Sequence, residues 1–349
     1  MKPFEWRKYI QAVIFVDQRA LPSLEYITCS NLGCVLRAIK NMIVRGAPAI
    51  AIAGLYGVVL HALQINKKSG DLIDFDNFLI ELKKGVAQLI KARPTAVNLS
   101  LVLDKVLESI SQFSNIEEIV QFILREAELA INEDRKMNLQ IAENGLELIK
   151  HDFSILLHCH TGGLAVPSGA YGTAQGIAQF ASEKKRNIKV FATETRPFLQ
   201  GRITAFELAQ ENVDITVIPD NAAGILFDQK LIDCVIVGAD RVLSTGHVFN
   251  KIGTYALAVL AKYHKIPFYV ALPITTFDFE RKLKDIIVEQ RDPKEVRFCG
   301  DRQIVPDDVP VLNPAFDITP PELITALICD KGILYPPFRR SITALKNSL

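Results

Sequence analysis

The sequence contains no Cys-x-x-Cys pair, and its six cysteines are scattered along 349 residues with no leader-like segment before them. Closely spaced pairs indicate metal or redox sites, and a leader indicates an oxidising compartment in which disulfides persist. We therefore expect a cytoplasmic protein with reduced thiols at all six positions: Cys29, Cys34, Cys159, Cys234, Cys299 and Cys329.

Neither sign of charge is in large excess, because the chain has 40 Lys and Arg residues and 39 Asp and Glu residues, with a formal net charge of +1. Such a chain has no broad basic field to attract nucleic acid and no acidic field for cationic partners. We expect a small-molecule partner and no nucleic acid.

The dinucleotide fingerprint Gly-x-Gly-x-x-Gly is missing after the first predicted strand of the C-terminal half. The first acidic residue at a later strand end, Glu194, comes about 30 residues on, so no nicotinamide cofactor is expected. His158 and His160 alternate with Cys159 along that strand and face the opposite side. Two ligands do not make a metal site, and no metal is expected.

Only one run, Ala47 to Ile65, is long and apolar enough to suggest a membrane span, with His61 and Gln64 as its clearly polar residues. Its apolar residues are mostly Ala and Gly, and no second such run exists. We predict a buried core helix and no membrane association.

A chain of this length with 49% hydrophobic residues can bury two cores, which predicts two domains. Ser114 and Glu117 have the spacing of a capping box, and the apolar periodicity that follows predicts a long helix toward Asn144 and Gly145. We predict an N-terminal domain over residues 1–127 and a C-terminal domain over residues 128–349.

The second half changes from helical periodicity to alternating strands and helices, which favours an α/β fold with a parallel sheet covered on both faces. Ligands bind such sheets beyond the carboxyl ends of the strands. Five buried strands are predicted: Ser154–Cys159, Ile188–Thr193, Asp214–Ile218, Asp233–Val237 and Pro267–Leu272.

Two reactive side chains follow these predicted strands. Cys159 precedes a Gly-rich turn and a predicted helix N-terminus, where a thiolate can be stabilised, although a free cysteine is often only a small core residue. Asp240 follows an apolar strand, where desolvation favours the protonated form of a carboxylic acid. The alternatives for Asp240 are a helix cap or an ion-pair partner for Arg241.

A third group of residues could hold an anion. In Arg45-Gly46-Ala47-Pro48, the glycine allows backbone N–H groups to approach an anion, and the proline suits the first turn of a helix. The same residues also suit an ordinary turn before a helix. Arg93 and Lys251 offer further positive charge.

Seven segments, in order along nearly the whole chain, resemble the methylthioribose-1-phosphate isomerase family. Each segment alone is weakly specific, but seven segments in this order and at this spacing are very specific. They are Val44–Ile50, Arg93–Leu99, Glu194–Gly201, Asp220–Gly224, Val237–Arg241, Asn250–Tyr255 and Asn313–Pro320.

The resemblance implies a small N-terminal helical domain with antiparallel strands, a C-terminal Rossmann-like doubly wound parallel sheet, and a homodimer. It implies an aldose-to-ketose isomerisation of a sugar phosphate in methionine salvage, with no cofactor. Cys159 matches the family's catalytic cysteine and Asp240 its proton donor. The positions that match its substrate contacts are Arg45, Gly46, Ala47, Arg93, Gln200, Asn250 and Lys251.

One departure lies next to the cysteine. The family usually reads His-Cys-Asn-Ala-Gly there, whereas this chain has His160 and Thr161, followed by the altered turn Val166–Gly169. A related isomerase acting on 5-deoxyribose 1-phosphate or ribose 1,5-bisphosphate therefore remains an alternative. A non-catalytic regulatory subunit of a guanine-nucleotide exchange factor is an alternative of another class.

Overall fold

The computed structural model describes residues 1–69, 74–93 and 97–349, and the side chains of residues 68, 69 and 97 are not discussed. These residues form two compact units. Unit 1 comprises Met1–Lys136 with Gly163–Gly172, and unit 2 comprises Met137–Gly162 with Thr173–Leu349. The predicted domain boundary at 127/128 stays a prediction.

Unit 1 begins with three antiparallel strands and continues with helices. The strands are β1 (Phe4–Arg7), β2 (Ala12–Val16) and β3 (Tyr26–Cys29), paired in the order β1-β2-β3. The helices are α1 (Leu32–Lys40), α2 (Ala47–Ser69), α3 (Phe75–Ala92), α4 (Val97–Ser109) and α5 (Ile116–Leu146), the last of which continues into unit 2. The predicted N-terminal helices and antiparallel strands are confirmed.

Helix α2 is the core helix of unit 1, as its composition predicts. The stretch Ala47–Lys67 is long and apolar enough to span a membrane, yet 78% of its apolar 18-residue window is buried inside the protein. Its small residues let neighbouring helices approach: a Cβ added at Gly57 would lie 3.1 Å from Val35 Cγ1 and 3.2 Å from Leu89 Cδ2. The apolar run therefore packs against protein.

Two details of unit 1 correct the sequence-based predictions. Helix α5 is capped by Asn115, whose Oδ1 accepts the Glu118 N–H at 2.9 Å, so the capping box at Ser114 and Glu117 is wrong by one residue. Cys29 and Cys34 are joined in a disulfide, so the prediction of six reduced thiols is wrong for these two. The remaining four, including Cys159, form no disulfide in the structure.

Unit 2 contains the predicted parallel sheet. Its strands in chain order are β4 (Ser154–His158), β5 (Lys189–Thr193), β6 (Asp214–Ile218), β7 (Cys234–Val237), β10 (Phe268–Ala271), β15 (Ala326–Cys329) and β16 (Gly332–Leu334). The spatial order is β16-β15-β10-β7-β4-β5-β6, with only β16 antiparallel to its neighbour. The six parallel strands have the Rossmann order, which reverses between β4 and β7.

The helices of unit 2 connect and follow these strands. They are α6 (Ala174–Glu183), α7 (Gly201–Gln210), α8 (Ala223–Asp228), α9 (Thr254–His264), α10 (Lys294–Arg297) and α11 (Phe338–Lys346). All five predicted strands are present within one residue at each end. The predicted burial of β6 is wrong, since this edge strand buries only Ile218.

Short strands interrupt the predicted alternation of strand and helix. They are β8 (Arg241–Leu243), β9 (Val248–Lys251), β11 (Phe277–Asp278), β12 (Phe298–Cys299), β13 (Arg302–Gln303) and β14 (Phe316–Thr319). Four of these strands form a second sheet in the order β11-β8-β9-β14, and β12 pairs with β13. This second sheet carries residues 250 and 251, so it matters for the candidate site.

Candidate active site

The two predicted catalytic residues follow neighbouring strands. β4 and β7 are parallel partners, with His158 aligned to Val237, so Cys159 and Asp240 both leave the carboxyl edge of the sheet. Adjacent strands are about 4.8 Å apart, and this pair is where the strand order reverses. The two residues therefore leave the same edge of the sheet, as the sequence predicts, and their catalytic roles stay a prediction.

The backbone of Cys159 is strained and held on both sides. Its φ of 68° is in the left-handed region, which L-residues other than glycine rarely adopt. Its N–H donates to Thr195 Oγ1 at 3.0 Å, and its carbonyl accepts from Thr204 Oγ1 at 3.0 Å. The partly buried Cys159 side chain thus projects from a backbone that two hydroxyl groups fix.

The loop after β5 supplies the first of these hydroxyl groups and is itself fixed by a carboxylate. Asp220, after β6, accepts the N–H groups of Thr195 and Arg196, each at 2.7 Å. Thr195 has a φ of 59°, which is unusual for a β-branched residue. Three adjacent strand ends therefore fix one another through Asp220, Thr195 and Cys159.

Helix α7 supplies the second hydroxyl group from a buried polar face. Gln200, Thr204 and Glu207 are spaced four and three residues apart, so they lie on one side of the helix, and all three are buried. Glu207 Oε2 lies 2.6 Å from His160 Nε2 and accepts from Gln175 Nε2 at 3.1 Å. This pairing fixes the His160 ring next to the cysteine, while His158 has other partners, Thr193 and the Ile252 carbonyl.

Gln200 lies at the start of α7 with a buried Oε1. Among the residues that the structure describes, this oxygen has no hydrogen-bond partner. A buried amide oxygen without a partner is costly unless a ligand supplies one. This observation suits the predicted role of Gln200 in binding substrate.

Lys251 carries a buried ammonium group at the end of β9. Its Nζ donates to Ala315 O at 3.0 Å and lies 5.5 Å from the ring centroid of Phe198 and 5.0 Å from that of Phe316. Over the described ranges it makes no ion pair within 4.0 Å. A buried cation held by rings and one carbonyl keeps N–H donors for an anionic ligand.

The turn after Lys251 is held by Asp317. Its carboxylate accepts the N–H groups of Gly253 at 2.7 Å and Tyr255 at 3.0 Å, at the start of α9. Burial raises the pKa of Asp317 to about 6, although these two bonds and the charge of Lys251 oppose the shift. Asn250 Nδ2 donates to Thr254 Oγ1 at 2.9 Å in the same turn.

Asp240 does not have the environment predicted for it. The residue is exposed, so the expected desolvation is absent from this structure. It lies between β7 and β8, so the helix-cap alternative is wrong. Arg241 Nε is 3.5 Å from Asp278 Oδ2, and the Asp240 N–H donates to Phe249 O at 2.8 Å.

The thiolate-stabilising helix predicted after Cys159 is also differently arranged. Helix α6 begins only at Ala174, and Thr161 Oγ1 accepts the Gln175 N–H at 3.0 Å. The first turn of this helix is thus capped by a threonine of the loop after Cys159.

Unit 1 carries the remaining predicted contacts. Gly46 has a φ of 85°, and a Cβ there would clash with the carbonyl oxygen of Ala165, so glycine is required. Ala47 begins α2 and Pro48 lies in its first turn, as predicted. Arg45 is partly buried, and its Nη2 approaches Met42 Sδ at 3.8 Å.

Arg93 ends helix α3 and is partly buried. The segment Arg93–Leu99 contains residues 94–96, which lie outside the described residues. For these unit 1 residues, a role in binding substrate stays a prediction.

The sequence analysis gave no role to the polar residues around the cysteine: Thr193, Thr195, Thr204, Glu207 and Gln175. Their signal was weak, because threonine is common in strands and loops and the polar face of α7 reads as a solvated face until its burial is known. No group of three His, Cys, Asp or Glu side chains that could hold a metal ion occurs within residues 1–69, 74–93 and 97–349.

Comparison with known proteins identifies relatives over the whole chain. Residues 43–336 match the initiation factor 2 subunit family. The chain is 45% identical over 352 residues to the methylthioribose-1-phosphate isomerase of Caldicellulosiruptor saccharolyticus, covering 99% of this chain and 100% of the relative.

Two solved structures are similar across nearly their full length. The 5-methylthioribose 1-phosphate isomerase of Pyrococcus horikoshii has a TM-score of 0.90 at 37% identity, covering 100% of this chain and 96% of that one. A protein from A. fulgidus described as the delta subunit of translation initiation factor eIF-2B has a TM-score of 0.87 at 41% identity, covering 99% of both chains.

Proposed function

We propose that this chain, which belongs to the initiation factor 2 subunit family, is an isomerase that converts 5-methylthioribose 1-phosphate to 5-methylthioribulose 1-phosphate in methionine salvage. Its full-length relatives include methylthioribose-1-phosphate isomerases. The observation that carries the proposal is the placement of Cys159 and Asp240 after the neighbouring strands at which the sheet order reverses.

The substrate sets the chemical problem. A phosphate on the anomeric carbon locks the sugar as a ring and hides the carbonyl that an aldose–ketose isomerisation needs. We propose that Asp240 gives a proton to the ring oxygen as the bond between that oxygen and carbon 1 breaks. Asp240 is exposed and follows β7 at the carboxyl edge of the sheet, which supports this role.

Cys159 is proposed to move the second proton. As a thiolate it removes the proton of carbon 2, the electron pair forms a double bond between carbons 1 and 2, and the thiol returns the proton to carbon 1. The hydroxyl group on carbon 2 then gives its proton to the Asp240 carboxylate and becomes the ketone. Both residues end in their starting protonation states.

The phosphate must stay attached throughout, which requires positive charge. Lys251 supplies a buried ammonium with donors for the phosphate. Gln200 supplies a buried amide oxygen that can accept from a hydroxyl group of the sugar. We propose these two residues and Asn250 as substrate contacts in unit 2. Arg45, Gly46, Ala47 and Arg93 are proposed substrate contacts in unit 1, on the family resemblance.

The first test is turnover of purified protein on 5-methylthioribose 1-phosphate, 5-deoxyribose 1-phosphate and ribose 1,5-bisphosphate. We expect a preference for the methylthio sugar and loss of turnover in Cys159→Ser and Asp240→Asn. Exposed Cys299→Ser is the matched control and should retain full activity. A preference for another of these sugars would overturn the proposed substrate. Turnover that survives in both Cys159→Ser and Asp240→Asn would overturn the roles assigned to these residues.

The route of hydrogen transfer can be tested separately. Transfer through the Cys159 thiol exposes the proton to exchange with solvent, so turnover in deuterated water should place deuterium on carbon 1 of the product. A direct hydride shift from carbon 2 to carbon 1 would leave carbon 1 free of deuterium and would remove the basic role of Cys159.

A regulatory subunit is the second candidate, because one close structural relative is described as a subunit of a translation initiation factor. That function does not need the strained, doubly held backbone of Cys159. Absence of turnover on all three sugars by correctly folded protein would favour it.

We further propose that the protein is a cytoplasmic homodimer, on the family resemblance. Analytical ultracentrifugation tests the dimer directly, and a sedimenting mass of one chain at micromolar concentration would contradict it. Fractionation of the source cells tests the location.

A further inference from the structure

A buried chain of hydrogen bonds lies behind Cys159 and extends to the turn after Lys251. Cys159 N is 3.0 Å from Thr195 Oγ1, which is 3.0 Å from Thr193 Oγ1. Thr193 Oγ1 is 2.7 Å from His158 Nδ1, and His158 Nε2 is 2.9 Å from Ile252 O. Neither catalytic role assigned above uses His158, Thr193 or Thr195.

The chemistry of each group fixes the direction of the hydrogen bonds from the Ile252 carbonyl to Thr193. The Ile252 carbonyl can only accept, so His158 Nε2 carries a proton. Burial lowers the pKa of His158, so its ring is neutral and Nδ1 accepts from the Thr193 hydroxyl. Thr193 has then used its only proton, so the Thr195 hydroxyl donates toward Thr193, whose Oγ1 lies at 3.0 Å and whose carbonyl oxygen lies at 3.3 Å. The Thr195 oxygen in turn accepts the N–H of Cys159.

Bulk water does not reach the chain, because Thr193 and Thr195 are 0% exposed and His158 is 3% exposed. The chain also holds two residues, Cys159 and Thr195, in the left-handed region. Such strain persists only where surrounding contacts determine it, and it is concentrated at functional sites.

The far end of the chain fixes a second part of the candidate site. Ile252 follows Lys251, and Gly253 has a φ of 105° with no room for a side chain, because a Cβ there would lie 2.9 Å from His158 Cε1. His158 thus contacts the turn that carries the buried ammonium, while its other nitrogen leads to the cysteine.

We propose that His158, Thr193 and Thr195 are positioning residues that hold the Cys159 backbone in its strained conformation and fix it relative to the Lys251 turn. The inference rests on the proposed role of Cys159. A small displacement of a reacting group can lower the rate by up to about 100-fold. Breaking this chain of hydrogen bonds, called the relay below, should therefore lower kcat.

The sharpest variant is Thr195→Val, which keeps the shape of the side chain and removes the acceptor of the Cys159 N–H. We expect kcat to fall by about 10- to 100-fold with KM within about threefold of the unaltered enzyme. Thr195→Ser keeps the hydroxyl group and should recover most of the lost kcat. Thr193→Val breaks the chain one step further away and should cause a smaller loss.

A matched control exists in β14. Thr319 is 0% exposed, and its Oγ1 has no hydrogen-bond partner among the described residues. Thr319→Val makes the same change in a buried strand without breaking a described bond. It should leave kcat, KM and folding unchanged.

A second readout does not depend on turnover. Hydrogen exchange at the Cys159 amide, resolved by mass spectrometry with fragmentation, should be at least about tenfold faster in Thr195→Val than in the unaltered protein, Thr195→Ser or Thr319→Val. If Thr195→Val does not fold, Thr195→Ser gives the test. Exchange of the Cys159 amide in Thr195→Ser at the rate of an unfolded chain would show that the hydroxyl group does not hold this amide.

The outcomes separate the proposals. Unchanged exchange in Thr195→Val would overturn the relay, as would faster exchange with unchanged kcat. Equal kcat in Thr193→Val and the unaltered enzyme, with equal exchange, would end the relay at Thr195 and overturn the role of His158. Failure of the proposed function would show as no turnover by the unaltered protein, and the exchange measurements would then decide the relay alone.

Discussion

At the scale of single residues, Lys251 carries the clearest electrostatic signal of the candidate site. An ammonium group that is buried against Phe198 and Phe316 without an ion pair among the described residues is costly for the folded protein. Residues that lower stability in this way are expected where a ligand later supplies the missing charge. The sequence named this lysine as a source of positive charge for an anion and, through the resemblance, as a substrate contact.

Lys251→Met should therefore weaken binding more than folding. Methionine keeps the length and packing of the stem and removes the charge. We expect kcat/KM for the sugar phosphate to fall by about 10- to 100-fold, from the loss of charged hydrogen bonds that are each about 1.5 to 3 kcal/mol. Exposed Lys262→Met is the control, and equal kinetics in both variants would contradict a phosphate contact at Lys251.

Asp317 gives a prediction about pH. Its pKa is raised to about 6 in the folded protein from an ordinary value of 3.8, so between these values the folded state holds a proton that the unfolded chain has released. This group's contribution to stability is therefore fully present below pH 3.8 and is lost as the pH rises through 6.

Asp317→Asn should remove that pH dependence. The free energy of unfolding of the unaltered protein relative to the variant should fall by about 1 to 3 kcal/mol between pH 4 and pH 7. Urea unfolding at several pH values measures it, with exposed Asp308→Asn as the control. A difference that stays constant with pH would show that Asp317 does not titrate in this window.

At the scale of elements, helix α5 shows how local rules fail by one residue. Ser114 and Asn115 are both good N-cap residues, and the sequence favoured Ser114 because Glu117 follows at capping-box spacing. The structure uses Asn115, whose side chain reaches the Glu118 N–H. Periodicity predicts a helix well, whereas the choice between adjacent caps depends on the entry angle of the chain.

The cap can be tested with a matched pair. Asn115→Ala should lower the free energy of unfolding by about 1 kcal/mol through loss of the N-cap bond, and Ser114→Ala should change it little. Thermal or urea unfolding of the two variants gives the comparison. The reverse order of effects would restore the capping box at Ser114.

The strands show what the sequence could and could not reveal. Five β-branched runs predicted five of the six parallel strands within one residue, because buried central strands need continuous apolar side chains. The sixth parallel strand, β15, was not predicted. Strand β8 has three residues and follows Asp240 directly, so it gave no separate signal. The exposed edge strand β6 was predicted as buried, since its edge position depends on strand order, which periodicity does not encode.

The polar network around Cys159 was beyond sequence reasoning for a different reason. Thr195 holds the cysteine backbone from the loop after β5, and Thr204 holds it from helix α7. Both contacts depend on the strand order, which the sequence does not reveal. The sequence predicted that Cys159 and Asp240 lie at one edge of the sheet, because the ends of parallel strands share one edge. It could not predict which side chains fix the backbone there.

At the scale of the whole molecule, the two units have separate hydrophobic cores. Phe78 is fully buried in the core of unit 1, whose members all lie before residue 128. Phe268 is buried in a core of unit 2 formed by the sheet and its helices. Chains with several cores commonly depart from two-state unfolding.

We therefore predict that core truncations act on separate transitions. Phe78→Ala should cost about 3 to 5 kcal/mol, and so should Phe268→Ala, because each leaves a cavity in a close-packed core. In calorimetry, Phe78→Ala should lower the melting temperature of one transition and Phe268→Ala that of another. Hydrogen exchange at low denaturant identifies the unit, since amides of α2 should lose protection only with Phe78→Ala and amides of β10 only with Phe268→Ala. A single transition that both changes lower equally, with exchange accelerated throughout, would show instead that the two cores unfold as one cooperative structure.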